Sequence, residues 1–346
     1  MRPPLQREPH ESGAIARSTG HLSMSNYTNY GFRLHTVEMA GNPAVLFGGV
    51  TDLSHILNTE LASPETGGAF RESQSVVAQS PEIPVTSQSL GAILANIGLT
   101  GKCITSDGSH LGFTAYMQKH EPCEVGARSA AANASVRFPF GHLFLDTVEA
   151  GAVGSNATAA MRAHAISPTG DAKPWVEAYN VVLPSGLVKT QYALGKPTIL
   201  GSVVDKIVSQ SINYSPSFQK PADAATIWPT EIDPSDFDFA ITIVARAPEL
   251  LSSIGSSGFQ HTDDDTKLRF VQRATNAAEQ ATASNGAFVD FTELEHIEGD
   301  ARGLVYVGEH YNSSGRATGL TQIMIAGIED GTAPLVWDTA AVYDPS

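Results

Sequence analysis

The stretch Asp236-Phe-Asp-Phe-Ala-Ile-Thr-Ile243 carries a clear alternating pattern of hydrophobicity. Its apolar residues Phe237, Phe239, Ile241 and Ile243 alternate with acidic or small residues. Successive side chains of a β-strand point to opposite faces of a sheet, so this period of two predicts a strand with one buried face. The pattern points to a protein built mainly from β-sheets.

A weaker extended run lies earlier in the chain, where Ile83 and Val85 flank Pro84. Proline cannot donate a ladder hydrogen bond, so this strand is expected at a sheet edge. Another alternating run, Gly31–Val37, places Phe32, Leu34 and Thr36 on one face and predicts the first strand.

A short helix is predicted after each of the two apolar runs. In the first copy four apolar residues fall at helical spacing: Leu90, Ile93, Leu94 and Ile97. Ser89 is a candidate N-cap, and Gly98 is expected to end the helix in a left-handed conformation. In the second copy Pro248 and Gly255 stand at the two ends, as the usual asymmetry of helix termini requires.

Similar segments recur in the same order at a nearly constant spacing, which predicts an internal duplication. Three residues precede their counterparts by 157 positions: Leu94, Ile97 and Gly98 against Leu251, Ile254 and Gly255. Three further matches are Tyr116 with Phe270, Gly48–Asp52 with Gly201–Asp205, and Gly170–Val176 with Asp330–Val336. The alternative is that unrelated β-domains share glycines, prolines and alternation.

The predicted organisation is an N-terminal arm over residues 1–29 and two related β-domains over residues 30–185 and 186–346, joined near Val182–Val188. The arm is expected to be flexible because it lacks periodicity. Each domain is expected to be a β-sandwich or barrel with one short flanking helix. A chain of 346 residues is long enough for two such cores, and 31 glycines and 20 prolines without a period favour many turns.

The formal charge of −15 and the absence of Lys/Arg clusters exclude a protein that grips nucleic acid. No apolar stretch is long enough for a membrane span, and the first residues lack the apolar core of a signal peptide, so a protein made in the cytoplasm is expected. Two cysteines, Cys103 and Cys123, are too few for a disulfide framework and are expected to be free thiols.

Catalytic and cofactor motifs were sought, and no phosphate-binding loop, dinucleotide fingerprint, nucleophile elbow or zinc-protease motif is present. The sequence therefore predicts a non-enzyme without catalytic, cofactor or metal residues. One group of potential zinc ligands lies in the first copy: Cys103, His110, His120 and Cys123. Its spacing matches no known zinc motif, and the second copy keeps only His261.

Two other residue sets have simpler interpretations than ligand binding. Asp263–Asp265 lacks the alternating acidic spacing of a calcium loop and is expected to be a solvated turn. Trp175, Trp228 and Trp337 are expected to anchor a core or an interface rather than form a carbohydrate-stacking platform.

The order of a strand, Gly48-Gly-Val-Thr-Asp52, a long polar connection, a strand, a helix ending in Ile97-Gly98 and the strand Ala115-Tyr-Met-Gln-Lys119 resembles the tail tube proteins of long-tailed bacteriophages. The resemblance implies a β-sandwich or barrel with a long hairpin loop that assembles into stacked rings. The stretches Asn58–Pro81 and Asn213–Pro234 occupy the place of that loop.

The resemblance further implies a structural virion component without cofactors, assembled in the host cytoplasm, whose partners are copies of itself and other tail proteins. A duplicated chain is expected to form trimers that imitate a six-fold ring, and DNA is expected to pass an acidic lumen without specific binding. The alternatives are a minor tail or capsid decoration protein, and a β-sandwich that binds carbohydrate or protein. A hydrolase with dispersed residues is the third alternative.

Overall fold

The computed structural model describes the chain in twelve segments. They are residues 31–39, 44–62, 74–106, 112–120, 133–151, 155–187, 190–223, 226–246, 259–262, 266–273, 296–328 and 333–341. The predicted N-terminal arm, the second predicted helix and Asp263–Asp265 lie outside these residues.

Residues 31–187, called the first half, contain twelve strands and one helix among the described residues. They are β1 (Gly31–Met39), β2 (Val45–Phe47), β3 (Val50–Leu53), β4 (Thr59–Ala62), β5 (Ser75–Gln79), β6 (Glu82–Ser87), α1 (Leu90–Asn96), β7 (Lys102–Ile104), β8 (Phe113–His120), β9 (Asn133–Phe138), β10 (Gly141–Ala150), β11 (Thr158–Ala165) and β12 (Val176–Tyr179).

Residues 190–341, called the second half, contain eleven strands among the described residues. They are β13 (Tyr192–Leu194), β14 (Thr198–Ile199), β15 (Ser202–Val203), β16 (Ile207–Gln219), β17 (Asp233–Ala245), β18 (Phe259–Thr262), β19 (Lys267–Gln272), β20 (His296–Ala301), β21 (Gly303–Tyr311), β22 (Ala317–Gly327) and β23 (Leu335–Ala341). The prediction of a mainly β fold is confirmed.

Most strands belong to three antiparallel sheets. One is β12-β9-β8-β1-β2, and a second is β15-β14-β19-β20-β23 with β13 also on β19. The third has the order β18-β21-β22-β17-β16-β10-β11-β6-β3, with β7 also on β10, and it runs through both halves of the chain. β4 and β5 form a separate two-stranded ribbon.

The two halves pair their strands in the same order. In the long sheet, β3-β6-β11-β10-β7 of the first half matches β16-β17-β22-β21-β18 of the second. The bulges also match, since Val50 and Ile207 each precede an irregularity at the start of β3 and β16. Tyr116 pairs with Ser135 as Phe270 pairs with Ile297, which agrees with the predicted correspondence of Tyr116 and Phe270. The division into two tandem domains stays a prediction.

The apolar sides of these sheets share one contiguous core. Its largest fully buried side chains include Phe47, Phe113, Phe138 and Phe270. Helix α1 buries Leu90, Ile93 and Leu94 in the same core, which accounts for its apolar stripe. In the described part of the chain, no helix is long and apolar enough to span a membrane.

The prediction that the strand around Pro84 lies at an edge is wrong. β6 pairs with β11 on one side and with β3 on the other. The carbonyl of Pro84 accepts from the backbone N–H of Ser54 at 3.3 Å. The N and O of one residue in an antiparallel strand face the same neighbour, so the missing proline donor faces the short terminal strand β3 and leaves the β11 ladder intact.

Two details of helix α1 also differ from expectation. Ser89 is the N-cap residue, but its hydroxyl donates to the Gly48 carbonyl at 2.9 Å rather than capping the helix. The helix ends with an extended Ile97 at φ −114°, and the left-handed residue is Gly101 rather than Gly98. The chain therefore adopts the left-handed conformation three residues later than the pattern predicted.

Strand pairing refines two further expectations. The stretches Asn58–Pro81 and Asn213–Pro234, which the resemblance assigns to a long hairpin loop, contain β4, β5 and the outer part of β16. The match of Gly48–Asp52 to Gly201–Asp205 is displaced, because Val50 of β3 corresponds by its bulge to Ile207 of β16. The connection near residues 180–187 contains neither helix nor strand.

Glycine is required at the first residue of β10 and of β21. Gly141 and Gly303 both have φ +154°, and a Cβ there would lie 1.8 Å from the His164 carbonyl oxygen and 2.0 Å from that of Ala326. We expect Gly303→Ala to lower the free energy of unfolding by about 3 kcal/mol, since neither backbone strand can yield. Gly308→Ala in the same strand meets nothing within 4 Å. Chemical denaturation of both variants tests this, and equal stability would contradict it.

Candidate assembly interface

The two halves are joined edge to edge by β10 and β16. Thr147 pairs with Asn213 and Ala150 pairs with Gln210, so four residues of each strand form an antiparallel ladder, here called the joint. The first part of β10 is occupied on the same side by β7. β16 therefore pairs only with the far end of β10. Its residues 214–219 continue past β10 and pair with β17 alone.

Beyond the joint, residues 214–219 of β16 and 233–238 of β17 continue as a two-stranded ribbon that covers one face of the first half. It is called the second ribbon, and the ribbon of β4 and β5 is called the first. This first outer face consists of five residues that are cross-strand neighbours: Glu82, His142, Phe144, Arg162 and His164. The ring of Phe218 stacks on Phe144 with centroids 4.8 Å apart and planes 2° apart. Phe144 is only 1% exposed as a result.

A lysine next to the second ribbon contacts a buried polar cluster on the first outer face. The Lys220 ammonium donates to the Ser80 hydroxyl at 2.7 Å and to Nδ1 of His164 at 3.0 Å. Burial lowers the pKa of Lys220, and the charge of Glu82 opposes that change. Glu82 also lies 3.7 Å from Arg162, which bonds Asp146 at 3.3 Å. The docked ribbon thus places a cation beside the Glu82 carboxylate.

His164 is a neutral acceptor in this cluster rather than the partner of an ion pair. Burial first, and then the charge of Lys220, lowers its pKa to about 2. Its Nδ1 lies 3.5 Å from a Glu82 oxygen, but no proton is available between them when Nδ1 accepts from Lys220. The His164 ring also lies 4.8 Å from Phe218. The imidazole therefore holds the ribbon by both a hydrogen bond and a ring contact.

The loop at the tip of the second ribbon, between β16 and β17, is fixed to the first half as well. Trp228 donates from Nε1 to the Gln79 side chain at 3.1 Å, and the Gln79 backbone N–H donates to the Ile227 carbonyl at 2.7 Å. The Ser167 N–H donates to the Pro229 carbonyl at 2.8 Å. The second ribbon is consequently held to the first half at its base, along its length and at the loop that forms its tip.

The first ribbon, β4 and β5, has the same register as the second. Thr59 pairs with Gln79 as Pro216 pairs with Phe237, and a bulge follows one residue later in both ribbons. After the bulge, the pair Leu61 and Val76 corresponds to the pair Phe218 and Pro234. Leu61 is 55% exposed, whereas its counterpart Phe218 rests on Phe144.

The second half has a face equivalent to the first outer face. This second outer face consists of Ala240, Leu304, Tyr306, Met324 and Ala326, with Phe259 beside Tyr306. By strand pairing, Tyr306 corresponds to Phe144 and Met324 to Arg162. Phe259, Tyr306 and Met324 are 50%, 38% and 45% exposed. No ribbon covers this face among the described residues.

The residues that the sequence singled out as metal ligands are not assembled into a site in the described part of the chain. Cys103 is exposed on β7, with its sulfur 3.8 Å from Nδ1 of His142. His110, Cys123 and the side chain of His120 lie outside the description. The described residues contain no group of three potential ligands.

The three tryptophans occupy separate places and form no common platform. Trp175 is buried, donates to Glu177 at 2.9 Å and lies under the Lys173 ammonium at 4.4 Å. Trp228 contacts Gln79, as described above, and Trp337 lies 5.9 Å from Phe270.

A cavity of about 670 Å³ beside Trp337 is bounded by α1, the base of the second ribbon and β23.

Sequence reasoning missed the polar cluster of the first outer face. Its residues come from four separate parts of the chain: Ser80 just before β6 and Glu82 at its start, Asp146 on β10, Arg162 and His164 on β11, and Lys220 directly after β16. No protein-family model matches the chain, and no curated protein matches it significantly. The interface is therefore interpreted from its own geometry.

The Phe218 stack should carry much of the ribbon's stability. We expect Phe218→Ala to reduce the free energy of unfolding by about 3 kcal/mol, because the stacked ring and the burial of Phe144 are lost together. Val182→Ala, at a side chain 81% exposed, serves as the control and should change it by less than about 0.5 kcal/mol. Urea denaturation of dilute protein measures both, and a neutral Phe218→Ala would contradict the packing role.

The depressed pKa of His164 predicts loss of stability in acid. The unfolded histidine titrates near pH 6.5 and the folded one near 2, so its contribution is complete above pH 6.5 and decreases as the pH falls toward 2. From pH 6.5 to pH 5 the loss is about 2 kcal/mol. Denaturation at both pH values should show a smaller loss for His164→Gln than for the parent. The control His310→Gln, at a histidine bonded to Thr318, should keep the parent's slope.

Proposed function

We propose that this chain is a structural virion component that assembles head to tail into rings, which stack as a phage-type tail tube through which DNA passes. The single observation that carries the proposal is the joint between β10 and β16. Each of the two strands in the joint, β10 and β16, has a counterpart in the other half of the chain. The corresponding edge of that counterpart pairs with no strand among the described residues. Those two edges complement each other as β10 and β16 do.

The first such edge is β3, the last strand of the long sheet. β3 corresponds to β16, and the pairing of Ile56 with Glu82 corresponds to that of Asn213 with Ala240. Ile56 is 37% exposed at this edge. An exposed strand edge offers unpaired N–H and C=O groups to another chain.

The second edge is the far end of β21. β21 corresponds to β10, and Gly308 opposite Gln322 corresponds to Thr147 opposite Ala160. β18 occupies only Gly303–Tyr306, so residues 308–311 face outward as residues 147–150 do in β10. Repeating the joint between chains would pair Ile56 of one copy with Gly308 of the next.

Such a contact joins two different surfaces, and a heterologous contact of this kind forms a closed ring when its rotation permits. Three chains would supply six equivalent half-sheets and pair both β3 and the far end of β21 in every copy. Closure by this route removes the aggregation hazard of β3. The net charge of −15 is compatible with a wall that repels DNA phosphates and lets the duplex slide.

A cysteine pair across the proposed joint tests the function. In a Cys103→Ser/Cys123→Ser background, Ile56→Cys with Gly308→Cys should form disulfides between chains, because directly opposed residues have Cβ atoms about 5 Å apart. A Cβ at Gly308 meets open space, so folding should be preserved. Ile56→Cys with Val182→Cys is the control and should remain uncrosslinked. Non-reducing electrophoresis gives the readout.

Negative-stain electron microscopy of the unsubstituted protein, over a range of concentrations, completes the test. Hollow rings or tubes with a central pore are the expected result. Compact monomers at every concentration, together with no interchain disulfide, would overturn the proposed function.

A further inference from the structure

We propose that the first ribbon of one chain docks on the second outer face of a neighbouring copy, with Leu61 seated on Tyr306. The inference rests on the proposed function, since it requires head-to-tail assembly, and it identifies the side-chain contact that would fix neighbouring copies in register. Nothing in the joint itself requires the ribbons to take part.

The docking geometry already exists once within the chain. The second ribbon extends from β16 past the joint and lies over the half-sheet on the other side of that joint, where Phe218 stacks on Phe144. The first ribbon follows β3 with the same register and the same bulge, and Leu61 holds the position of Phe218. Tyr306 holds the position of Phe144. Equivalent positions therefore predict contact between Leu61 and Tyr306.

The exposed surfaces also match in chemistry. The first ribbon exposes the polar side chains Thr59, Glu60 and Ser75. It also exposes three large apolar side chains, Leu61, Val76 and Val77, by 55%, 42% and 48%. Leu61 and Val76 lie directly opposite each other and share one face. The second outer face is apolar as well, because Ala240 and Ala326 replace Glu82 and His164 of the first. Adjacent exposed apolar residues of this kind indicate a binding surface.

The same comparison identifies which ribbon belongs to which face. The loop between the two strands of the second ribbon carries Lys220, whose half-buried ammonium donates to His164 on the first outer face and to Ser80, with the charge of Glu82 nearby. On the second outer face Lys220 would be desolvated without an acceptor from Ala240 or Ala326, which is costly. The described residues of the first ribbon include no lysine or arginine, and the apolar pair Leu61 and Val76 suits the apolar face.

In the proposed contact, the ribbon on the second outer face comes from another copy. The second ribbon extends from β16, the edge strand of the second half, and covers β10 and β11 of the first half. A ribbon of this kind therefore covers the neighbouring half-sheet and not the half-sheet to which its own strand belongs. The first ribbon extends from β3, and β3 is the end of the long sheet, with the second half on the opposite side. Within one chain the first ribbon therefore points away from its matching face.

A charge-pair experiment tests the contact. Leu61→Lys and Tyr306→Glu each place an unpaired charge in the proposed contact, and each should weaken self-association at least about tenfold. The double variant places the two charges against each other in every contact and should recover association to within about threefold of the parent. Val203→Lys and Val182→Glu, at side chains 54% and 81% exposed, are the controls and should associate like the parent. Sedimentation equilibrium measures association, and circular dichroism confirms that each variant folds.

The outcomes separate this inference from the function on which it rests. If the parent assembles and the Ile56 and Gly308 cysteines crosslink, but the single charge variants assemble normally, the ribbon contact is wrong and the edge-to-edge assembly stands. A double variant as weak as the singles also overturns the contact. If the parent never assembles, both the contact and the proposed function are overturned.

Discussion

The pairing of β10 with β16 is the contact on which the rest of the structure depends. It converts two five-stranded arrangements into one long sheet and directs the second ribbon onto the first outer face. The stack of Phe218 on Phe144 and the hydrogen bonds of Lys220 then hold the ribbon in place. Because the contact joins two unlike edges, each half keeps one equivalent edge that pairs with no strand among the described residues.

The two outer faces differ in chemistry although their strands pair in the same way. The first face is polar and is covered by the second ribbon, whose loop carries Lys220. The second face is apolar, and no described part of the chain covers it. Separating the half-buried Lys220 ammonium from its hydrogen-bond partners is unfavourable, so the cluster around Glu82 would discriminate against exchange of the two ribbons. The difference would keep the contact within a chain distinct from the contact between chains.

The sequence predicted those elements whose pattern is local. Alternation over residues 236–243 gave β17, and helical spacing with Ser89 gave α1. The strand around Pro84 was placed at an edge because the sequence does not reveal that its missing donor faces β3. The cluster of Glu82, His164 and Lys220 had no local pattern, since long-range pairing brings these residues together. Polar residues and prolines conceal the short ladders of both ribbons, so the sequence predicts polar connections in their place.

A cryo-electron microscopy map of the assembled protein tests the central claim most directly. The account predicts a ring in which six similar half-sheets are joined edge to edge, with β3 of each copy beside β21 of the next. The first ribbon should lie over Tyr306 of that neighbour. A ring whose copies meet through other surfaces, with β3 and residues 308–311 free in solvent, would contradict the account.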